Sequence, residues 1–174
     1  MITLDDLQAI CPHTTTGRLA VFVEPLNDAM REFEIDANPA RETHFLAQIC
    51  HESGAFRYVR ELASGEAYEG RSDLGNTEPG DGVRFKGRGL IQITGRANYL
   101  ACGDALGLDL IANPELLEQP VNASRSAGWF WFSHNLNELA DRGDIKAITK
   151  RINGGLNGYQ DRLSYLELAQ GRLA

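Results

Sequence analysis

Two glutamates in the segment 49-ICHESGAFRYVREL-62 have the residue type and the spacing that acid–base chemistry needs. On one uninterrupted helix, Glu52 and Glu61 would point to opposite faces and lie ~13 Å apart along the axis. Gly54, however, is a typical helix stop, so the chain can turn back and return Glu61 on a short strand. Two carboxylates across a cleft are what glycoside hydrolysis requires. The spacing alone favours the simpler interpretation of two exposed surface charges.

The His51-Glu52 pair also raises the question of a metal site. A zinc protease needs His-Glu-x-x-His, with two imidazoles one helical turn apart. Position 55 is alanine, so the second imidazole is missing. His44 and His51 could share one helix face, and we interpret that pair as structural. We therefore expect no metal and no cofactor.

Two further segments carry uncharged polar side chains that could bind sugar hydroxyls. The segment 84-RFKGRGLIQITGRANY-99 contains Gln92, Thr94 and Asn98 among glycines that let the backbone approach a ligand. A simpler interpretation is a β-hairpin followed by a helix that Thr94 caps. The segment 151-RINGGLNGYQDR-162 is also compatible with a simple helix stop.

The elements that must position these residues are mainly helices. Asn38-Pro39 combines an N-cap with proline at the first helical position, and the helix it starts should end near Glu52 or Ser53. Other predicted starts are the capping box of Thr3 with Asp6, Thr94, Asn113-Pro114, a helix over residues 120–134, Asp144, and a last helix after Tyr159. The aromatic run Trp129–Phe130–Trp131 in the 120–134 helix is predicted to be core rather than a sugar-stacking platform.

Residues 56–94 differ in amino-acid composition from the rest of the chain. Seven of the 18 glycines lie within residues 64–89, which is typical of a lobe shaped by turns. A segment this long without regular helices is usually functional or disordered, and its apolar flanks favour function. We predict one catalytic domain over residues 1–174, mainly α, with a helical bundle core and a small β-containing lobe around residues 56–94.

Composition excludes several classes of protein. The net charge is −7 without any long Lys or Arg run, which argues against a nucleic-acid binder. The N-terminus lacks a signal-peptide pattern and no apolar run reaches the ~18 residues of a membrane span, so we expect synthesis in the cytoplasm and no membrane insertion. Cys11, Cys50 and Cys102 are expected to be free and reduced. We expect a monomer.

The motifs together are more specific than each one alone. HESG, a glutamate nine residues later, KGRGLIQITGRANY and INGG, in this order, resemble glycoside hydrolase family 19. That family contains chitinases and the lysozyme-like endolysins of bacterial viruses, and residues 61–99 look most like the phage and prophage endolysin branch. The resemblance covers nearly the whole chain. It implies an α+β lysozyme-like fold and inverting hydrolysis of β-1,4 bonds between aminosugars.

The resemblance also implies roles for individual residues. Glu52 would be the general acid, and Glu61 the general base that activates water with the help of Thr94. The resemblance implies that Gln92, Asn98 and Asn153 bind sugar and that Arg162 supports the base carboxylate. His51 joins the substrate-binding set because it is adjacent to the acid, and a buried structural histidine is the open alternative for it. An acid must hold its proton near neutral pH, so we expect a more apolar setting for Glu52 than for Glu61. An inverting pair should lie roughly 6.5–9.5 Å apart.

Charged residues of the lobe receive two further predictions. Glu69 and Arg71 are expected to form an ion pair that orders the lobe. The low pI, near 5.1, is unusual for an enzyme that approaches an anionic wall. We therefore expect a local positive field from Arg84, Lys86 and Arg88.

The expected substrate is the glycan strand of peptidoglycan, with release to the wall through a separate pore or secretion route. Three alternatives stay open: a chitinase of the same family, a lytic transglycosylase, and a non-catalytic wall-binding protein. The transglycosylase alternative rests on Glu52-Ser53 and the Gly-Leu-x-Gln turn at residues 89–92, and it would use a single acid. The sequence does not separate a phage lysis protein from a secreted effector, and it does not identify the linkage that is cut.

Overall fold

The computed structural model describes all 174 residues and contains nine α-helices. They are α1 Leu4–Ile10, α2 Thr16–Glu32, α3 Pro39–Glu52, α4 Asp81–Arg84, α5 Arg96–Leu106, α6 Pro120–Ser133, α7 Leu136–Asp141, α8 Ile145–Asn153 and α9 Tyr159–Leu173. Short 3₁₀ helices lie at Ile35–Ala37, Glu66–Tyr68, Ser72–Leu74 and Pro114–Glu118. The mainly α prediction is confirmed. No helix has both the length and the hydropathy to cross a membrane.

The strand expected after Gly54 is reduced to isolated pairing. Arg88 forms antiparallel bridges with Arg60 and with Ile93, and no strand extends beyond them. Two isolated bridges give few backbone hydrogen bonds, so the lobe between α3 and α5 must be held together by other contacts.

Helix α3 begins where the sequence predicts, because its first turn is capped. The Asn38 side chain accepts a hydrogen bond from the Arg41 amide at 2.9 Å, and Pro39 follows it. The Arg41 guanidinium also pairs with Asp141 at the end of α7. Hydrogen bonds from Arg41 and Asn38 lower the pKa of the Asp141 carboxyl to about 2. The first turn of α3 is therefore fixed at both its backbone and its side chains.

The main core lies between α2, α3, α6 and α9. Helix α3 packs along α9, and α2 packs along α6. Phe45 meets Trp131 edge-on, with ring centroids 5.3 Å apart, and Trp131 is completely buried. This cluster takes in residues from Ile2 to Ala169, so it involves both ends of the chain. That residues 1–174 form a single catalytic domain stays a prediction.

The lobe is attached to α5 by a buried ion pair. Arg96, the first residue of α5, donates two hydrogen bonds to Asp81, which is 1% exposed. The Arg96 amide donates to Asn76, so Asn76 caps the helix across the lobe. The prediction that Thr94 caps α5 is wrong, because Gly95 is the N-cap residue and the first amide of the helix is bonded by a distant segment.

The predicted ion pair of Glu69 with Arg71 is also wrong. Arg71 pairs with Asp73 at 2.6 Å. The Glu69 carboxylate accepts hydrogen bonds from the amides of Gly80 and Gly82, at 2.8 and 2.9 Å. The Cβ of any other residue at position 82 would lie 2.6 Å from the Glu69 backbone nitrogen, so the glycine permits this close approach. Glu69 therefore orders the lobe through backbone amides instead of through Arg71.

Candidate active site

The turn after α3 brings the chain back towards the end of that helix. Gly54, Ala55 and Phe56 all have positive φ, between 58° and 66°, although two of them carry side chains. Left-handed backbone costs roughly 1 kcal/mol or more for such residues, so neighbouring contacts must stabilise it. Buried Ser53 does so: its hydroxyl accepts from the Phe56 amide at 2.8 Å, and its carbonyl accepts from the Tyr58 amide at 3.0 Å. The chain therefore turns at the end of α3, as Gly54 predicts, before it reaches Glu61.

Glu52, the last residue of α3, is held by a buried arginine. Its Oε1 accepts a hydrogen bond from Nη2 of Arg162 at 2.6 Å, and Arg162 is 1% exposed. The other guanidinium nitrogens donate to Gln48 Oε1 at 2.5 Å and to the Asn157 carbonyl at 3.2 Å. The expected apolar setting for Glu52 is therefore wrong, because a cation lies against the carboxylate. Arg162 also contacts Glu52, not Glu61 as the resemblance implies.

His51 binds the same helix that supplies Arg162. Its Nδ1 lies 2.7 Å from Asp161 Oδ2, and its ring lies against Gly158, the N-cap residue of α9. A Cβ at position 158 would be 2.2 Å from the ring, so only glycine fits there. His51 and Glu52 thus contact Asp161 and Arg162 through a hydrogen bond and an ion pair respectively, which fix the last turn of α3 to the first turn of α9.

Glu61 is held by uncharged donors. Its amide donates to the Gly87 carbonyl at 2.9 Å, and the Gly87 amide donates to its Oε1 at 2.6 Å. The Tyr68 hydroxyl donates to Oε2 at 3.0 Å. Burial and then the Glu61 contact raise the pKa of Tyr68, which keeps this hydroxyl a donor. Sequence reasoning missed Tyr68, because a tyrosine in a glycine-rich segment carries no signal of its partner.

Three of the predicted sugar-binding and catalytic residues line one cavity of about 170 Å³. They are Gln92, Thr94 and Asn98, and the Asn98 amide donates to the Thr94 carbonyl at 2.8 Å. The Thr94 hydroxyl makes no hydrogen bond with Glu61. Asn153 lies outside this cavity, as the half-buried last residue of α8.

Aromatic side chains of α6 form the opposite wall of that cavity. Trp129, Phe130 and His134 line it, and Phe130 stacks on His134 with centroids 3.9 Å apart. The prediction that the aromatic run is core is confirmed for Trp131, whereas Trp129 and Phe130 are half-buried, packed against the core on one side and lining the cavity on the other. The three aromatic residues face different surroundings because successive helical residues point about 100° apart. The sequence analysis did not predict His134 as a site residue, because it lies outside the motifs that carry the resemblance.

The expected positive field of the lobe is weakened by internal pairing. Arg88 is 9% exposed, and it donates to Glu118 at 2.9 Å and to the Tyr99 hydroxyl at 3.0 Å. Arg84 donates to the backbone carbonyls of Ile111 and Ala112. The expectation is therefore wrong for Arg88, whose charge is neutralised by Glu118.

Comparison with known proteins gives a consistent family assignment. Residues 40–147 match the family model for glycosyl hydrolase 19, described as chitinase class I. A glycosyl hydrolase family 19 domain-containing protein of Haemophilus influenzae is 34% identical over 93% of this chain and 92% of its own length. An endochitinase of Arabidopsis thaliana is 41% identical over 69% of this chain, which spans only 43% of that relative.

Solved structures share the fold. Chitinase C from Streptomyces griseus HUT6037 superposes with a TM-score of 0.81 and 25% identity, covering 99% of this chain and 76% of its own. The family GH19, class IV chitinase from Zea mays gives a TM-score of 0.76 and 25% identity, covering 99% of this chain and 92% of its own.

Proposed function

Since the chain belongs to glycoside hydrolase family 19 and is therefore a glycosidase, we propose that it hydrolyses β-1,4 bonds between the aminosugars of peptidoglycan by an inverting two-glutamate mechanism. The observation that carries this mechanism is that both carboxylates are held by fixed protein donors. Glu52 is held by a buried guanidinium, and Glu61 by an amide and a phenol. Fixed donors orient a carboxyl group for proton transfer, and the division into acid and base follows the positions of the two residues in their motifs.

Glu52 is assigned the role of general acid. Arg162 occupies Oε1, which leaves Oε2 without a protein donor and able to carry the proton to the departing glycosidic oxygen. When the proton leaves, Glu52 becomes an anion, and the guanidinium already in place stabilises that developing charge without reorganisation. Arg162 therefore orients the Glu52 carboxyl group before proton transfer and stabilises the Glu52 anion after it.

Glu61 is assigned the role of general base. A base must be held where it can take a proton from water. The Gly87 amide and the Tyr68 hydroxyl each donate a hydrogen bond to one carboxylate oxygen, which fixes the orientation of the group. The remaining lone pairs can accept a proton from water that attacks the far face of the sugar. Thr94 is assigned to help position this water, and the separation of 6.5–9.5 Å expected for an inverting pair stays a prediction.

The substrate-binding residues are assigned from the cavity and the helix ends. Gln92 and Asn98 present amides next to the half-buried rings of α6, a combination that suits the hydroxyls and the apolar faces of a sugar. Asn153 and His51 complete the proposed set at the ends of α8 and α3. In His51 the Nδ1 atom is already engaged by Asp161, so only its other ring nitrogen is available to a ligand.

Peptidoglycan is the first substrate candidate, because residues 61–99 resemble the phage and prophage endolysin branch. A specific observation also favours chitin: the plant relatives are described as endochitinases, and the solved neighbours as chitinases. For the peptidoglycan proposal we place synthesis in the cytoplasm of a host bacterium, with passage to the wall through a separate pore or secretion route.

Digestion of purified sacculi and of chitin oligomers, followed by mass spectrometry, separates these candidates. The proposal expects hydrolytic muropeptides with reducing ends and slower cleavage of chitin. Glu52→Gln and Glu61→Gln should each reduce turnover at least ~100-fold, as expected for loss of a general acid or base. Glu167→Gln, at an exposed position of α9, is the matched control. Anhydro ends with an active Glu61→Gln variant would instead identify a lytic transglycosylase, and cleavage of chitin alone would identify a chitinase.

A further inference from the structure

Two of the three cysteines lie in contact inside the main core. The Sγ atoms of Cys11 and Cys50 are 3.4 Å apart, and both residues are buried. Cys11 is the C-cap of α1, and Cys50 lies in the last turn of α3, two residues before Glu52. Cys102 belongs to a separate apolar cluster. All three are unbonded.

We propose that Cys11 and Cys50 are a disulfide modification site that closes when the protein meets a disulfide oxidant. A disulfide requires a sulfur separation of about 2.05 Å, so the two sulfurs need to approach by roughly 1.4 Å. The proposal is independent of the substrate assignment. Where the protein acts outside a reducing cytosol, it would meet such oxidants there.

The chemistry balances with a disulfide, R–S–S–R, as the oxidant. The thiolate of one cysteine attacks a sulfur of the oxidant, which forms a mixed disulfide and releases one R–S⁻. The thiolate of the second cysteine then attacks the protein sulfur of that mixed disulfide and releases the second R–S⁻. The protons of the two cysteine thiols end on the two released thiols, and the oxidant takes up the two electrons.

Access to the pair is controlled by α1. Burial, and then the contact with Cys11, raise the pKa of the Cys50 thiol, so the closed core holds few thiolates. Helix α1 has only seven residues, and an ion pair of Asp6 with the half-exposed Arg172 ties it to α9. Opening of α1 exposes Cys11 without disturbing Glu52. The bond therefore forms in the folded protein through this local opening.

Closure links α1 to the helix that carries the acid. The bond would close a loop of about 40 residues, and constraint of the unfolded chain by a loop of this length should raise the melting temperature by roughly 10 °C. The added link would restrain the last turn of α3, and neither cysteine lines the cavity that contains Gln92, Thr94 and Asn98. We expect activity at moderate temperature to be unchanged.

Oxidised glutathione is the test oxidant, applied to the folded, reduced full-length protein. The remaining thiols are alkylated after denaturation and counted by intact mass, and the linked peptides are mapped. We expect the three free thiols to fall to one, at Cys102, with the melting temperature raised as stated. Cys102→Ala is the matched control and should keep the full shift, whereas Cys11→Ala should lose it.

Three results would overturn the proposal. They are retention of all three thiols by the folded wild-type protein, a linked peptide that contains Cys102, and an unchanged melting temperature after the bond has formed. The thiol count and the map use the wild-type chain, so they decide the matter even if Cys11→Ala folds poorly.

Discussion

Removal of the Arg162 guanidinium tests the support of the proposed acid. The side chain is 1% exposed, and three of its nitrogens hydrogen-bond Glu52, Gln48 and the Asn157 carbonyl. Breaking a buried ion pair typically costs 3–5 kcal/mol, because the remaining charge loses its partner. The Glu52 side chain is 22% exposed, so water can recover part of this loss. We therefore expect Arg162→Ala to lower the free energy of unfolding by ~3 kcal/mol.

Urea unfolding of a double-mutant cycle isolates the contact itself. Glu52→Gln removes the carboxylate charge, so Arg162→Ala should cost at least ~1 kcal/mol less in that background. Arg142→Ala is the matched control: Arg142 is 70% exposed and pairs with Glu138 on the surface, and its loss should cost less than ~0.5 kcal/mol. A loss for Arg162→Ala no larger than that of Arg142→Ala would refute the reasoning, as would a cycle without coupling.

Further predictions concern the base, the α3–α9 contact and a buried histidine. Tyr68→Phe removes one donor to Glu61, so kcat should fall about tenfold with an unchanged melting temperature; an unchanged kcat would remove Tyr68 from the site. Gly158→Ala places a Cβ 2.2 Å from the His51 ring at a φ of 70°, so it should destabilise the protein by at least ~1 kcal/mol in urea unfolding. A urea midpoint of Gly158→Ala equal to that of the wild type would contradict the contact of Gly158 with the His51 ring. Burial lowers the pKa of His44 from 6.5, so the unfolded chain binds the proton first as the pH falls. Stability should therefore decrease below about pH 6.5, and His44→Gln should flatten this part of the pH profile. An identical profile of stability against pH in His44→Gln would contradict this role of His44.

Helix starts were predictable wherever the signal was local. Both hydrogen bonds of the capping box between Thr3 and Asp6 are present, and Asn38 and Asp144 cap the helices predicted for them. Each of these contacts joins residues three positions apart, so the sequence contains the whole interaction. Asn76 caps α5 from 20 residues away, and no pattern in the sequence connects the two segments.

The contacts of the candidate site were only partly predictable from the sequence. The resemblance singles out Arg162 as a support for a carboxylate, but the chain offers two carboxylates more than 100 residues away. Packing of α3 along α9 decides between them and places Arg162 on Glu52. The lobe contains isolated bridges and no strand, and the pairs of Asp81 with Arg96 and of Glu69 with two amides hold it together. Such contacts have no periodicity that a sequence could reveal.

The most direct test of the mechanism is the anomeric configuration of the first product. Soluble β-1,4-linked aminosugar oligomers would be digested and followed by proton NMR from the first minutes, before mutarotation mixes the anomers. With Glu52 as acid and Glu61 activating water, the new reducing end should appear as the α-anomer and convert to the β-anomer only later. Initial release of the β-anomer would contradict the account, because it requires a glycosyl–enzyme intermediate and a different role for Glu61.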